Sequence, residues 1–472
     1  MLRKAMLFPI IFICQFVFAL AAENQTLTDV VKTKLGKVQG FTVTAESGFK
    51  TDVFLGIPFA QPPVGQLRFE KPRAAQPWNG VLATTEFAKV CTSVVSFLAW
   101  GGNFSDDCLY LNIYAPHIKK NKKYPVVVFI FAGGYKSGSA RSFRDYNDIT
   151  EHFISKGIVA AIIQYRVGIW GFSALENSSL KGNLGYWDQT LSLKWIHENI
   201  RKFGGDPDRV TAFGGSAGGT SVAALNLSPH SRKLFSQAVE LSGSTWAEWA
   251  LGDRVLEVTR DLLYQLGCNA TSGAAAKQCL KDASNDELTA AFNRMPVKYT
   301  INYITFGPRV DGDYFPKDIV ELIKDAPRKP TYCGCNEEES MLWTVLANGN
   351  SSSTGLGGLM IPKANQTTYG EANFVTTVEK LVATSEKFGS GASEVRDKVI
   401  DFYLNHGTEN DVKNSTFYLR KYTQLVSDLQ FNVPSWDIEL QNCRVGTPNS
   451  TGSYHKITPW LASVPLRKSL PV

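Results

Sequence analysis

The sequence predicts an α/β protein organised on one large, mostly parallel central sheet with helices on both faces. Three observations carry that prediction. Two uninterrupted apolar runs, "YPVVVFIFAGG" at 124–134 and "GIVAAIIQYRV" at 157–167, have the composition of strands buried on both sides. A stretch with helical apolar spacing, "WDQTLSLKWIHENIRKFG" at 187–204, ends on a glycine. Then "DRVTAFGGS" at 208–216 reads as a strand running into a tight turn, and "GGTSVAALNLS" at 218–228 as the helix that leaves it. Strands that alternate with helices build parallel sheets covered on two sides.

The remaining elements follow in chain order. "VVKTKLGKVQGFTV" at 30–43 alternates and turns at Gly36 and Gly40, as short strands do. "YLNIYAP" at 110–116 is a further strand, and "FSQAVELSGS" at 235–244 follows the helix after Ser216. Residues 253–294 have a helical pattern. "RKPTYCGCNEEES" at 328–340 reads as another buried strand, and helical character returns at 373–405 and 413–429. At 472 residues and 44% hydrophobic composition the chain can bury a large core. It has no Pro- or Ser-rich linker, repeat or low-complexity tract to mark an internal boundary.

The first residues form a separate unit. "MLRKAMLFPIIFICQFVFALAAENQT" has a basic start, an apolar stretch and Ala19-Leu20-Ala21, the pattern of a secretory signal peptide over 1–22. The alternative is an uncut signal anchor, since the apolar stretch reaches the roughly 18 residues that a spanning helix needs. No later segment is apolar enough to span a bilayer, so no stable membrane anchor is expected. Secretion permits disulfides. Of eight cysteines, Cys14 leaves with the signal. The close pairs Cys91/Cys108 and Cys268/Cys279 are the natural local bridges. Cys333 and Cys335 are poor partners for each other, because alternate strand residues face opposite ways, and they read as buried thiols. Cys443 has no assignment. N-x-S/T triplets at Asn24, Asn103, Asn177, Asn226, Asn269, Asn350, Asn365, Asn414 and Asn449 predict a glycosylated surface. Asn226 is the exception, lying on a helix that reads as buried.

Net charge is +6, and the basic residues cluster only in "HIKKNKKY" at 117–124, a solvated turn between strands. Nucleic-acid partners are therefore not expected. No metal or cofactor motif stands out.

The chemistry centres on Gly214-Gly215-Ser216-Ala217-Gly218, a G-x-S-x-G. On an α/β sheet a nucleophilic serine sits at a strained strand-to-helix elbow, and small neighbours leave room for the turn. Such a serine needs a base, a group that orients the base, and amide donors for the oxyanion. Gly133 and Gly134, after the strand "YPVVVFI", and the amide of Ala217 are the candidate donors.

Several blocks together resemble the type-B carboxylesterase/cholinesterase family: "FLGIPFAQPPVGQLRFEKP" (54–72), "SDDCLYLNIYAP" (105–116), "NIRKFGGDPDRVTAFGGSAGG" (199–219), "LFSQAVELSGS", "FGPRVDGDYFP" and "GCNEEESMLW". The resemblance implies an α/β-hydrolase fold over 23–444 and hydrolysis of small-molecule carboxylic esters without a cofactor. It implies a Ser-Glu-His triad in that chain order, with Ser216 as nucleophile and Glu339 as acid. It also implies an oxyanion hole at Gly133, Gly134 and Ala217, and disulfides Cys91–Cys108 and Cys268–Cys279.

The sequence departs from the family pattern at three places. Gly215 stands where the family usually has glutamate, and Phe131-Ala132 stand where it often has His-Gly. After Glu339 the chain has only His406, in "FYLNHGTEN", and His455, in "GSYHKITPW". Gly452 to His455 fit the first four positions of the family's Gly-x-x-His-Gly-x-Glu block, and Lys456 replaces the second glycine. His406 reads as a surface residue. The part from Val445 to Val472 reads as a divergent tail of a C-terminally truncated domain, and the triad base is left unassigned. Two functions follow: a secreted serine esterase, or a catalytically impaired relative acting as a binding or adhesion module. Trp100 reads as a packed surface residue, with cation–π binding of a substrate as the alternative.

Overall fold

Nine strands form the main sheet: β1 (Thr26–Leu27), β2 (Phe41–Thr44), β3 (Lys50–Pro58), β4 (Tyr110–Pro116), β5 (Tyr124–Ile130), β6 (Val159–Ile163), β7 (Gly205–Gly215), β8 (Gln237–Leu241) and β9 (Thr331–Gly334). Their spatial order is β1-β2-β3-β4-β6-β5-β7-β8-β9. The computed structural model describes residues 26–95, 101–117, 122–176, 179–296, 301–302, 304–346, 359–406 and 412–435. The signal segment, the 445–472 tail, Trp100, Cys443 and His455 lie outside the described residues.

The sheet is mixed. The ladders from β1 to β6 along the spatial order are antiparallel. Those joining β6, β5, β7, β8 and β9 are parallel, and this is the half that the apolar runs predicted. β6 is buried at every residue. It needs apolar side chains throughout, because both of its faces are covered. Helix α1 (Leu184–Asn199) passes into a short 3₁₀ turn that ends at Gly204, whose φ of 83° suits glycine. Helix α2 (Ala217–Leu227) leaves β7 and is buried at every residue.

Two expectations are corrected. The strand predicted within 328–340 is short and lies at the sheet edge among the described residues rather than inside it. Tyr332 is 66% exposed there. Cys333 is half-buried and Cys335 exposed, so neither is a buried thiol. The predicted pairs Cys91–Cys108 and Cys268–Cys279 are both bonded.

Helix α3 (Arg254–Gln265) begins the helical region after β8. Further on, helices α4 (Ala392–Asn405) and α5 (Ser415–Ser427) build a second apolar cluster with Phe374, Tyr403, Tyr418 and Tyr422. Aromatic stacking joins it to the sheet core. The ring of Phe431 lies 5.7 Å from both Trp249 and Trp343, and the Trp249 indole donates to the Gln430 carbonyl at 2.8 Å.

Candidate active site

Ser216 sits between β7 and α2 with φ 54° and ψ −125°. Positive φ is uncommon for a residue with a side chain and has to be held by the surroundings. Here the Ser216 N–H donates to the Leu241 carbonyl of β8 at 2.7 Å, and its own carbonyl accepts from Thr220 N–H at 2.9 Å. The elbow packs against the sheet so closely that a Cβ on Gly218 would lie 2.2 Å from the Ile130 carbonyl oxygen of β5. Only glycine fits there. Gly215 differs, since a Cβ at this position would meet nothing nearer than 3.9 Å.

Ile130 of β5 and Gly214 of β7 are register partners, so the loop after β5 and the elbow after β7 leave the same sheet edge side by side. Ligands of open α/β sheets bind at this C-terminal edge. Gly133 and Gly134 have φ of 130° and 61°. A Cβ on Gly133 would lie 2.1 Å from the Ser137 carbonyl oxygen, and the Gly133 carbonyl accepts from the amides of Lys136 (3.0 Å) and Ser137 (3.2 Å). Among the described residues the amides of Gly133, Gly134 and Ala217 donate to no backbone carbonyl. For Ala217 this is the normal state of a first helical residue.

Neighbouring elements clamp the loop. Tyr165 stacks on Phe131 at 4.1 Å and donates its hydroxyl to the Phe131 carbonyl. Gly168 N–H donates to the Tyr135 carbonyl at 2.6 Å. The strand-to-helix segment that carries Gly168 is fixed by a buried pair, in which Arg166 donates Nη2 to Asp188 Oδ1 of α1 at 2.7 Å. The Ser93 hydroxyl, two residues past the Cys91–Cys108 bridge, donates to the Lys136 carbonyl.

Glu339 follows β9. Gly215, Leu241 and Gly334 are register partners in a row across β7, β8 and β9, so Ser216 and the Glu339 loop emerge at the same edge with β8 between them. Glu339 is half-buried, and its Oε1 accepts from the Asn336 backbone N–H at 2.7 Å. Its neighbours are placed differently, with Glu337 exposed and Glu338 facing Arg420 of α5 at 3.4 Å. The Ser340 N–H donates to the Ser427 hydroxyl of α5, which anchors the loop. No described histidine is brought to Glu339 or Ser216 by a hydrogen bond. His406 is exposed, and its Nδ1 lies 3.1 Å from the Asp401 carbonyl oxygen at the end of α4, the surface position expected.

Three charged groups escaped the sequence reading. Lys136 follows the Gly133–Gly134 turn, and burial together with the charge of Arg254 pushes its ammonium down to about 7. Glu240, the register partner of Gly214, is buried with no hydrogen-bond partner for Oε2. Burial pushes its carboxyl up to about 8, against the pull of Lys329. Lys329 is held down at about 8 by burial and Arg232, and donates to Asn226 Oδ1 at 2.7 Å. A lone lysine after a glycine pair was a visible signal. Nothing in the local sequence linked residue 240 to residue 329.

The model of the carboxylesterase family matches residues 27–455. The chain is 37% identical to gut esterase 1 of Caenorhabditis briggsae over 409 residues, which cover 86% of this chain and 70% of that protein. It is 34% identical to a liver carboxylesterase of Sus scrofa over 443 residues, covering 89% and 74%.

The chain belongs to the carboxylesterase family.

Membership places it among the carboxylic ester hydrolases on an α/β-hydrolase fold, as the resemblance implied. A hydroxyl at a strand-to-helix junction of positive φ stands beside the loop of Gly133 and Gly134, with a carboxylate loop two strands away. Among the described residues no cluster of His, Cys, Asp and Glu could hold a metal ion, and no helix is long and apolar enough to cross a membrane.

Proposed function

We propose that this chain is a secreted serine esterase acting on small-molecule carboxylic esters. Ser216 Oγ attacks the ester carbonyl, and the negative charge on the former carbonyl oxygen is received by the amides of Gly133, Gly134 and Ala217. A base takes the serine proton and returns it to the leaving alcohol. Water then attacks the acyl-enzyme by the same route and releases the acid. Glu339 orients the base. The observation that carries this reading is the backbone of Ser216, at φ 54° beside a loop whose glycine amides donate to no backbone carbonyl among the described residues.

The base must follow Glu339 in chain order. His406 is engaged with Asp401 at the surface, and among the residues of this chain His455 is the candidate to test. Loss of a triad histidine costs on the order of 10⁶-fold in kcat. A second reading, a binding module that no longer turns over, is favoured by Lys456 in place of the expected glycine and by Gly215. A fluorophosphonate distinguishes the two. The secreted 472-residue chain is treated with the probe and the adduct mapped by peptide mass spectrometry. A stoichiometric adduct on Ser216 that disappears in His455→Ala is expected. A folded, secreted protein with no adduct would leave the binding reading.

A further inference from the structure

Two buried tyrosine hydroxyls meet next to the Gly133–Gly134 loop. Tyr135 directly follows Gly134 and has φ of 55°, a conformation that a residue with a side chain keeps only where its surroundings hold it. Its carbonyl accepts from Gly168 N–H at 2.6 Å, and its ring centroid lies 5.0 Å from that of Phe172 and 6.3 Å from that of Trp249. Its hydroxyl oxygen lies 2.9 Å from that of Tyr186, in the first turn of α1. Both side chains are fully buried, so either hydroxyl left alone would be an unmade hydrogen bond inside the core.

The same turn of α1 is bonded to the start of α2. Gln189 follows Tyr186 by three residues and shares its face of the helix. Its Nε2 donates to Ser221 Oγ at 3.1 Å, and Ser221 Oγ donates to the Ala217 carbonyl at 2.8 Å. Both of these side chains are fully buried as well. Between them on α1, Asp188 accepts from Arg166 Nε at 2.8 Å and Nη2 at 2.7 Å, which fixes the helix against the sheet. One helical turn therefore touches the residue after Gly134 directly and the residue after Ser216 through one serine. Packing alone asks for no hydroxyl at 135 or 186. Two buried partners replaced together by apolar groups of the same shape leave stability nearly unchanged.

We infer that Tyr135 and Tyr186 are positioning residues, whose hydroxyl pair ties the Gly133–Gly134 loop to α1 and so sets the spacing between that loop and the Ala217 amide. The inference rests on the esterase reading of Ser216 and goes beyond it to what holds the oxyanion donors in register. Neither tyrosine touches the ester. Each acts through the backbone of the donors, where a displacement of an ångström costs rate rather than ground-state affinity.

The test separates rate from stability with Tyr135→Phe, Tyr186→Phe and the double variant, all of which keep the rings. Hydrolysis of p-nitrophenyl butyrate is measured per fluorophosphonate-labelled site, beside the urea midpoint of each chain. Each single variant is expected to lose about tenfold in kcat with KM within about twofold of the parent, and to unfold at lower urea. In the double variant the urea midpoint should recover toward the parent while kcat stays about tenfold down, because the two hydroxyls act as one link. A purely structural role would not give this split. A kcat that recovers with the urea midpoint, or that never falls, overturns the inference. If the parent labels without turnover, the labelling rate is read in place of kcat. If it neither labels nor turns over, the esterase reading fails, and hydrogen exchange in the peptide 129–138 decides the positioning separately. The Lys136 and Ser137 amides, bonded to the Gly133 carbonyl, should then exchange at least about fivefold faster in the double variant. Unchanged exchange would overturn it.

Discussion

At the scale of single residues, the elbow is held by contacts that Ser216 does not choose. Its N–H is committed to Leu241 and its carbonyl to Thr220, so the hydroxyl is presented by a backbone with no freedom to relax. Residue type made this legible, because small residues around a serine have few other uses at the end of a buried strand. Glu240 was not legible, because nothing local tells a strand glutamate facing water from one facing a helix. Its pH behaviour is open to measurement. Its folded value of about 8 lies above the ordinary 4.5, so its contribution to stability is complete below about 4.5 and is lost as pH rises to about 8. Lys329, held at about 8 against an ordinary 10.5, disfavours the fold below 8, and this cost fades between 8 and 10.5. Glu240→Gln is therefore expected to change urea unfolding little at pH 4. At pH 8.5 it should stabilise by roughly 2 kcal/mol, the scale of an unpaired buried polar group. Equal effects at the two pH values would show that Glu240 does not titrate in the fold.

At the scale of elements, the β7–Ser216–α2 unit is a tight pack of backbone on backbone. Gly218→Ala would place a methyl on the Ile130 carbonyl and is expected to cost about 1–3 kcal/mol, as overpacking does, and to abolish fluorophosphonate labelling. Gly215→Ala, with open space around it, should stay within about 1 kcal/mol of the parent and label normally. Reversed outcomes would mean that the elbow is packed differently. Most elements were readable from apolar periodicity, since β5, β6 and α1 are buried on more than one side. β9 was misread because "TYCG" has the composition of a core strand while its position at the sheet edge among the described residues depends on its neighbours, which periodicity does not encode.

At the scale of the whole molecule, burial sorts the glycosylation triplets. Asn103, Asn269, Asn365 and Asn414 are exposed, whereas Asn226 is buried and bound to Lys329. Intact-glycopeptide mapping of the secreted chain is expected to find glycans among the first four and none on Asn226. A glycan there would contradict the burial of α2. Composition supplied the triplets, and the helix that reads as buried already set Asn226 apart, as the burial of α2 bears out. The local disulfides were legible for the same reason that short loops are, because the partners are near in sequence. The joining of the α4–α5 cluster to the sheet through Trp249, Trp343 and Phe431 was not legible, since it links residues far apart along the chain.

The row Gly215, Leu241 and Gly334 makes the sheet a gauge. Two inter-strand spacings set the ends of β7 and β9 roughly 9.5 Å apart. An imidazole with a hydrogen bond at each ring nitrogen bridges roughly 8 Å. A gap of this order above Leu241 is one that a histidine side chain with its two hydrogen bonds would fill. A base delivered there needs neither a strand nor a helix of its own. It needs only a loop of the right reach, and a chain could change that loop's sequence extensively while the gap kept its width.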